Sequence, residues 1–136
     1  MSTQEKIARL LDLPGLIDGV GRKLVAQRAD MRSLERKIRF REAEIRLDRK
    51  DEPGDAKTRE AVFVVACGND PELAKMIDRQ ESLKVAIDAG THQRDVLDHE
   101  RKALKAALER EYAKVIEQLL TDEQLARKVA STRALS

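Results

Sequence analysis

Four side chains that could bind a metal ion or transfer a proton recur at helical spacing in the second half of the chain. They are Asp88, His92, Asp95 and His99. Steps of four, three and four residues separate them, so they would form one stripe on a helix. Imidazole and carboxylate groups bind zinc and other transition metals, but two helical turns, about 10 Å, separate the histidines. We predict a solvated stripe, with a metal bridging two subunits as the alternative.

Other candidates for catalysis are weak. Cys67 is the single cysteine, so no intrachain disulfide can form, and no cation adjacent in sequence clearly activates its thiol. We expect a small buried core residue there. The glycines of residues 15–21 lack the pattern of a phosphate-binding loop. Carboxylates are abundant, but a helical hairpin offers them no cleft. The sequence predicts no catalytic residue, no metal site, no cofactor and no enzymatic activity.

Basic residues of the first half are the remaining candidates. Residues 22–50 contain eleven Lys or Arg and five Asp or Glu, a net charge of +6, whereas residues 51–100 carry −6. Cations held along a rod can neutralise successive phosphates of a nucleic acid without reading its sequence. Two interpretations stay open. The basic segment is a surface for a polyanion, or its charges complement those of an antiparallel acidic helix.

The composition indicates long helices to position these residues. Charged residues make up 38% of the 136-residue chain and aromatic residues 2%, with no Trp. Such a composition is typical of coiled coils, which bury a narrow apolar seam rather than a wide core. We therefore expect a homo-oligomer, because one helical hairpin leaves much of its seam exposed. Short apolar runs, one cysteine and an N-terminus without a signal-peptide core lead us to expect a cytoplasmic protein with no membrane partner.

A heptad pattern predicts a long helix over residues 16–50. One track of the pattern contains Ile17, Leu24, Met31, Ile38 and Ile45. The other track contains Val20, Gln27, Leu34 and Arg41. A polar seam residue costs stability but can fix the helix register. We expect simple fraying of the pattern at Gln27, whereas both interpretations stay open for Arg41.

Helix-breaking and capping residues set the boundaries of the first three predicted helices. A short helix over residues 3–13 would begin at a capping box of Ser2 and end before Pro14. Pro53-Gly54 would end the long helix, because proline cannot continue a helix. Asp55 would then cap a short apolar helix over residues 56–67 that ends at Gly68. The valines of this segment leave a strand as the alternative.

A second long helix is predicted over residues 71–120. Asp70 at the cap and Pro71 at the first position are a strong start signal. Gly90 lies on the heptad track, where glycine costs about 1 kcal/mol relative to alanine, and would allow a kink or a close helix approach. Thr121, in a second capping box, would start a short helix over residues 122–130.

These elements predict one all-α domain covering residues 1–136. The simplest assembly is an elongated antiparallel helical hairpin, or coiled coil, with the short apolar helix at the connection. The second long helix exceeds the first in length and must extend past it. We expect this overhanging part to contact another subunit.

The segment before the Pro-Gly turn resembles the phage recombination mediators of the UvsY type. Their lysine-alanine-arginine-leucine-aspartate-tyrosine motif precedes a turn, and Arg46, Leu47 and Asp48 match it. Glu44 stands in place of a basic residue of the motif, and Arg49 in place of its aromatic residue. The layout of helices over roughly residues 25–115 is also similar.

The resemblance implies a helical homo-oligomer without enzymatic activity that binds single-stranded DNA during recombination. It also implies contacts with a recombinase and a single-strand-binding protein. We predict that Arg46, Arg49 and Lys50 contact phosphates, followed by Arg36, Lys37 and Arg39. The alternative is a structural or adaptor coiled coil that assembles proteins without binding nucleic acid. A metal-dependent protein using the histidine stripe is a second alternative.

Overall fold

The protein is all-α in the computed structural model, which describes residues 1–135 and the side chains of residues 1–133. Helix α1 covers Thr3–Asp48, α2 covers Ala56–Asn69 and α3 covers Pro71–Leu135, and the described residues contain no strand. The long helices α1 and α3 pack against each other. The predicted all-α helical hairpin is therefore confirmed, and the strand alternative for the valine-rich segment is wrong.

Contacts along the chain divide it into two compact units. One unit is Asp18–Arg94, which contains the larger part of α1, all of α2 and the first part of α3. The other combines Met1–Ile17 with the part of α3 that begins at Asp95. Each unit therefore pairs a segment of α1 with a segment of α3.

In the Asp18–Arg94 unit the predicted heptad seam forms the core. Its buried side chains on α1 are Leu24, Leu34, Ile38 and Ile45. Leu73 of α3 is only 1% exposed and forms a core cluster with Leu34, Ile38 and Ile45. Phe63 and Cys67 of α2 are half-buried against that cluster. The short apolar helix α2 thus covers one end of the seam.

Gly90 permits a close approach of α3 to α1. A Cβ atom built on Gly90 would lie 2.8 Å from Cδ2 and 3.3 Å from Cγ of Leu24. Leu24 is 1% exposed, so its side chain has little room to move away. Of the two expectations for this glycine, the close helix approach is the one observed.

Arg41 is the polar seam residue with a defined role. Its guanidinium donates two hydrogen bonds to the Asp70 carboxylate, at 2.7 and 3.0 Å. Asp70 also caps α3, because it accepts a hydrogen bond of 2.9 Å from the Leu73 N–H. Both contacts stabilise the charged carboxylate and lower the pKa of Asp70. Arg41 therefore ties α1 to the start of α3, which fixes their register.

The connection between α1 and α2 follows the predicted turn chemistry, with two corrections. Gly54 has a φ of +118°, a conformation that favours glycine. Asp55 caps α2 by accepting a hydrogen bond of 2.8 Å from the Thr58 N–H, which lowers the pKa of Asp55. However, α1 ends at Asp48 rather than at residue 50, and α2 continues through Gly68 to Asn69. The Asp70 N–H instead closes the last turn of α2.

Ion pairs join the two helices in the unit that contains the N-terminus. The Arg9 guanidinium donates two hydrogen bonds to Glu100, at 2.7 and 3.0 Å. Glu111 accepts hydrogen bonds from the Lys6 ammonium and from the Thr3 hydroxyl. These contacts hold the first turns of α1 against the middle of α3.

The predicted break at Pro14 is wrong, because α1 continues through it. Proline removes one hydrogen bond of the helix but does not forbid helical geometry on either side. Leu13, directly before it, is fully buried. Packing of this leucine supplies the stabilisation that the local sequence withholds, so the predicted helices over residues 3–13 and 16–50 are one element.

The predicted break at Thr121 is also wrong, because α3 continues to Leu135. The Thr121 hydroxyl donates a hydrogen bond of 2.9 Å to the Glu117 carbonyl of its own helix, rather than accepting one as a cap. Threonine commonly makes this bond within helices. The predicted helices over residues 71–120 and 122–130 therefore form one helix, of which residues 112–133 are all exposed.

Candidate nucleic-acid interface

A stripe of exposed arginines follows the outer face of α1 in the Asp18–Arg94 unit. The seam occupies two positions of each seven-residue repeat, and this stripe lies on the opposite side of the helix. The outer basic stripe consists of Arg32, Arg36, Arg39 and Arg46, at steps of four, three and seven residues. All four are exposed, so their charges are presented to solvent rather than to α3.

Most of the predicted phosphate contacts are not neutralised by neighbouring helices. Arg36, Lys37, Arg49 and Lys50 make no ion pair with any residue of the described part of the chain. Arg39 lies 4.0 Å from Glu35 of its own helix. The acidic residues of α3 therefore leave the surplus positive charge of α1 largely available to a ligand.

Three of the six predicted residues meet at a groove between the end of α1 and α2. This corner groove has an apolar lining of Ala43, Leu47, Ala56 and Phe63. Its charged lining is Arg46, Arg49, Lys50, Arg59 and Glu60. Four cations thus surround apolar surface with one carboxylate among them.

Arg46 has the best-defined geometry in the corner groove. Its guanidinium carbon lies 3.9 Å from the centroid of the Phe63 ring, a cation–π distance. One nitrogen of the same group donates a hydrogen bond of 3.0 Å to the Glu60 carboxylate. Two contacts from α2 therefore fix the plane of this side chain.

The groove is held by the turn that follows α1. Arg49 and Lys50 lie just after the helix end, where their backbone N–H groups donate to carbonyls three residues earlier, at 3.2 and 3.3 Å. Arg59 of α2 donates from Nε to the Gly54 carbonyl, at 3.0 Å. These bonds define the backbone positions from which the cationic side chains of Arg49 and Lys50 extend, and they hold the side chain of Arg59.

The other predicted residues lie elsewhere on α1. Arg36 and Lys37 line a separate shallow groove with Phe40 and Glu44. Ten residues separate Arg36 from Arg46, which is about 15 Å along the helix. The structure therefore brings Arg46, Arg49 and Lys50 to one groove, while Arg36, Lys37 and Arg39 extend the basic surface away from it.

Sequence reasoning missed two members of the corner groove, Arg59 and Phe63. They are four residues apart on α2 and thus on the same face of that helix. That spacing was a usable signal. The packing of this face beside Arg46 could not be predicted, because it depends on the conformation of the turn between α1 and α2.

The remaining chemical candidates are not among the residues that line the corner groove. Asp88, His92, Asp95 and His99 are all exposed. No group of three or more metal-binding side chains is present in the described part of the chain. Cys67 is half-buried, and burial raises the pKa of its thiol, which disfavours the reactive thiolate.

The fold and the site define a class: an all-α helical-hairpin protein with an exposed basic stripe and a cationic corner groove. Comparison of the chain with protein-family models, with curated proteins and with solved structures found no match. No helix in the described part of the chain is long and apolar enough to span a membrane.

Proposed function

We propose that this protein is a non-enzymatic oligomer that binds single-stranded DNA through the outer basic stripe and the corner groove of α1. The observation that carries the proposal is the uncompensated charge of Arg36, Lys37, Arg49 and Lys50, none of which forms an ion pair within the described part of the chain. The resemblance to UvsY-type recombination mediators at Arg46-Leu47-Asp48 supports a role in recombination beside a recombinase and a single-strand-binding protein.

Phosphate contacts supply the affinity in this proposal. A stripe of arginines along a helix follows a flexible single strand without selecting its sequence, because phosphates recur along every strand. Arginine binds phosphate through paired N–H donors, which suits an exposed and salt-sensitive interface. Binding should therefore weaken steeply as the salt concentration rises.

Self-association would add avidity to these weak contacts. Large apolar side chains are exposed along the end of α3, which α1 does not cover. They are Tyr112, Val115, Ile116, Leu119, Leu120, Leu125 and Val129. Burial of such side chains between subunits is favourable. Several basic stripes in one assembly could then bind one strand together.

The same apolar side chains favour a second function, a structural or adaptor coiled coil that binds other helices. In that case the cations only keep the surface hydrated. This alternative requires that oligonucleotide binding be absent even at low salt, whereas self-association or binding of a protein partner is retained.

The proposal is tested by fluorescence anisotropy of a labelled single-stranded oligonucleotide across salt concentrations. We expect binding at about 50 mM salt. The logarithm of the association constant should fall linearly with the logarithm of the salt concentration. The triple variant Arg36→Gln, Arg49→Gln and Lys50→Gln should reduce the slope by about 2, since each phosphate contact on a single strand contributes about 0.7.

A matched variant neutralises three exposed lysines of α3 instead: Lys84→Gln, Lys105→Gln and Lys114→Gln. It removes the same net charge and should keep most of the slope. Equal losses in both triple variants would mean that only net charge matters, and the basic stripe would lose its assigned role. Absence of binding by the unmodified protein at about 50 mM salt would overturn the proposal itself.

A further inference from the structure

The corner groove combines apolar surface with positive charge in a way that the rest of the basic stripe does not. Arg36 also lines a groove with an aromatic residue, Phe40, but that side chain is 69% exposed. Among the described residues, the arginine that lies over an aromatic ring is Arg46 of the corner groove. In the corner groove, Leu47 and Phe63 are apolar lining beside Arg49, Lys50 and Arg59. The groove therefore fits a ligand with a flat apolar part and negative charge on either side of it.

Phe63 is one of only three aromatic residues in the chain. It is half-buried against the core, so its ring has a fixed position, and the Arg46 guanidinium covers it at 3.9 Å. Glu60 holds that guanidinium from its edge, at 3.0 Å. A planar group held in this way can stack with a further ring on its exposed face, because guanidinium planes stack on aromatic systems.

We propose that the corner groove binds one unpaired nucleobase of single-stranded DNA, stacked on the Arg46 and Phe63 pair. The phosphates on either side of that nucleotide would contact Arg49, Lys50 and Arg59. This inference rests on the proposed function and adds a ligand to it: a base, in addition to the sugar-phosphate backbone.

A nucleobase satisfies the groove better than a simple anion would. Phosphate alone would leave the apolar lining of Ala43 and Leu47 in contact with water. Every base has a flat π-face, so stacking on the Arg46 and Phe63 pair tolerates any sequence. Bases inside a duplex are stacked on each other and cannot enter, so the groove selects single strands.

The test compares two labelled strands of equal length and charge, oligothymidylate and a strand whose sugars carry no bases. Fluorescence anisotropy at about 50 mM salt should show oligothymidylate binding about tenfold more tightly, the scale of one base stacked on a protein side chain. Phe63→Leu should abolish this difference while the salt dependence of binding stays unchanged.

Phe40→Leu is the matched control, because Phe40 is an exposed aromatic residue of α1 outside the corner groove. It should preserve the tenfold preference. Ala43→Gln is a second probe that fills the groove from an exposed helical position and leaves the core intact. It should also remove the preference, so the result does not depend on how well Phe63→Leu folds.

The outcomes separate this inference from the proposed function. If the unmodified protein binds neither strand, the proposed function fails. If it binds both strands equally, phosphate binding stands and the base site is overturned. A preference that survives Phe63→Leu and Ala43→Gln, or that disappears in Phe40→Leu instead, places the base elsewhere and also overturns the inference.

Discussion

The first and last parts of α3 continue one heptad pattern, but the apolar side chains of that pattern are buried in the first part and exposed in the last. Leu73, at the start of the helix, is 1% exposed and belongs to the core cluster. Val115 continues the same heptad track, yet it is 55% exposed, and Leu119, one turn further, is 59% exposed. The pattern predicts which face of the helix is apolar, but only a partner makes that face a core.

The same comparison explains why the two regions suit different ligands. The region around α2 packs Phe63 and Cys67 against the core cluster and leaves a group of cations exposed, which favours an anionic partner. At the end of α3, charged residues form ion pairs within the helix, for example Arg127 with Glu123 at 2.7 Å. Apolar side chains of the same region are exposed. We therefore expect the first region to bind nucleic acid and the second to bind another helix.

The largest expected difference is between two leucines, one in each region. Leu73→Ala should lower the free energy of unfolding by about 2–5 kcal/mol, because it leaves a cavity in a packed core. Leu119→Ala should change the unfolding of dilute protein by less than about 0.5 kcal/mol, as is usual for an exposed site. Urea unfolding followed by circular dichroism measures both values.

The dependence of self-association on protein concentration gives a second test of the difference between the two parts of α3. Sedimentation velocity over a range of concentrations should show weaker association for Leu119→Ala and unchanged association for Val85→Ala, a matched exposed site in the covered part of α3. A large loss of stability in dilute Leu119→Ala would contradict the assignment, since it would mean that Leu119 is covered within one chain.

A smaller difference is expected between two helical glycines. Gly90→Ala should destabilise the protein by about 1–3 kcal/mol, because its Cβ would lie 2.8 Å from a buried Leu24 atom. Gly19→Ala has no atom within 4 Å of its Cβ and should stabilise the helix by about 0.5–1 kcal/mol. Thermal unfolding should give shifts of opposite sign. Stabilisation by both alanines would show that α1 and α3 can separate at Gly90 without cost.

The smallest effect concerns pH and the Arg41 ion pair. The pKa of Asp70 is lowered chiefly by the hydrogen bonds that its carboxylate accepts from Arg41. This contribution to stability is complete above the ordinary aspartate pKa of about 3.9 and is lost as the pH falls through the lower pKa of the folded state. Arg41→Gln should lower Tm at pH 7 by about 2–4 °C and flatten the fall of Tm with acidification.

Arg39→Gln is the control for the pH experiment, because Arg39 is exposed and its ion pair, with Glu35, is long at 4.0 Å. It should leave the dependence of Tm on pH nearly unchanged below pH 5. If both variants alter that dependence equally, the bidentate pair of Arg41 and Asp70 has no special part in holding the register of α1 and α3.

Local signals in the sequence predicted the helix starts well. Ser2 accepts a hydrogen bond of 3.1 Å from the Glu5 N–H, and Asp55 and Asp70 cap α2 and α3 as expected. Capping depends on two or three adjacent residues, so a short stretch of sequence contains all of the information. The helix ends predicted at Pro14 and Thr121 were wrong, since both residues lie inside longer helices. At Pro14 the packing of Leu13 outweighs the local propensity, and at Thr121 the hydroxyl bonds to its own helix rather than capping a new one.

The candidate site was predicted in part. Arg46, Arg49 and Lys50 were identified from charge and from a short motif, and the structure brings them to one groove. Arg36, Lys37 and Arg39 were joined to them only by their shared charge. The residues that give the groove its shape, Arg59 and Phe63, lie on α2, and no spacing within α1 could have assigned them to the site.

The sequence by itself determined the helical class, the apolar seam, the caps and the surplus of positive charge, because each depends on residue type and spacing along one element. Tertiary structure alone decided that Arg41 binds Asp70, that Gly90 receives Leu24 and that Phe63 lies beneath Arg46. These contacts join residues 17 to 66 positions apart. Their geometry depends on the turn and on the register of packed helices, which no local pattern encodes.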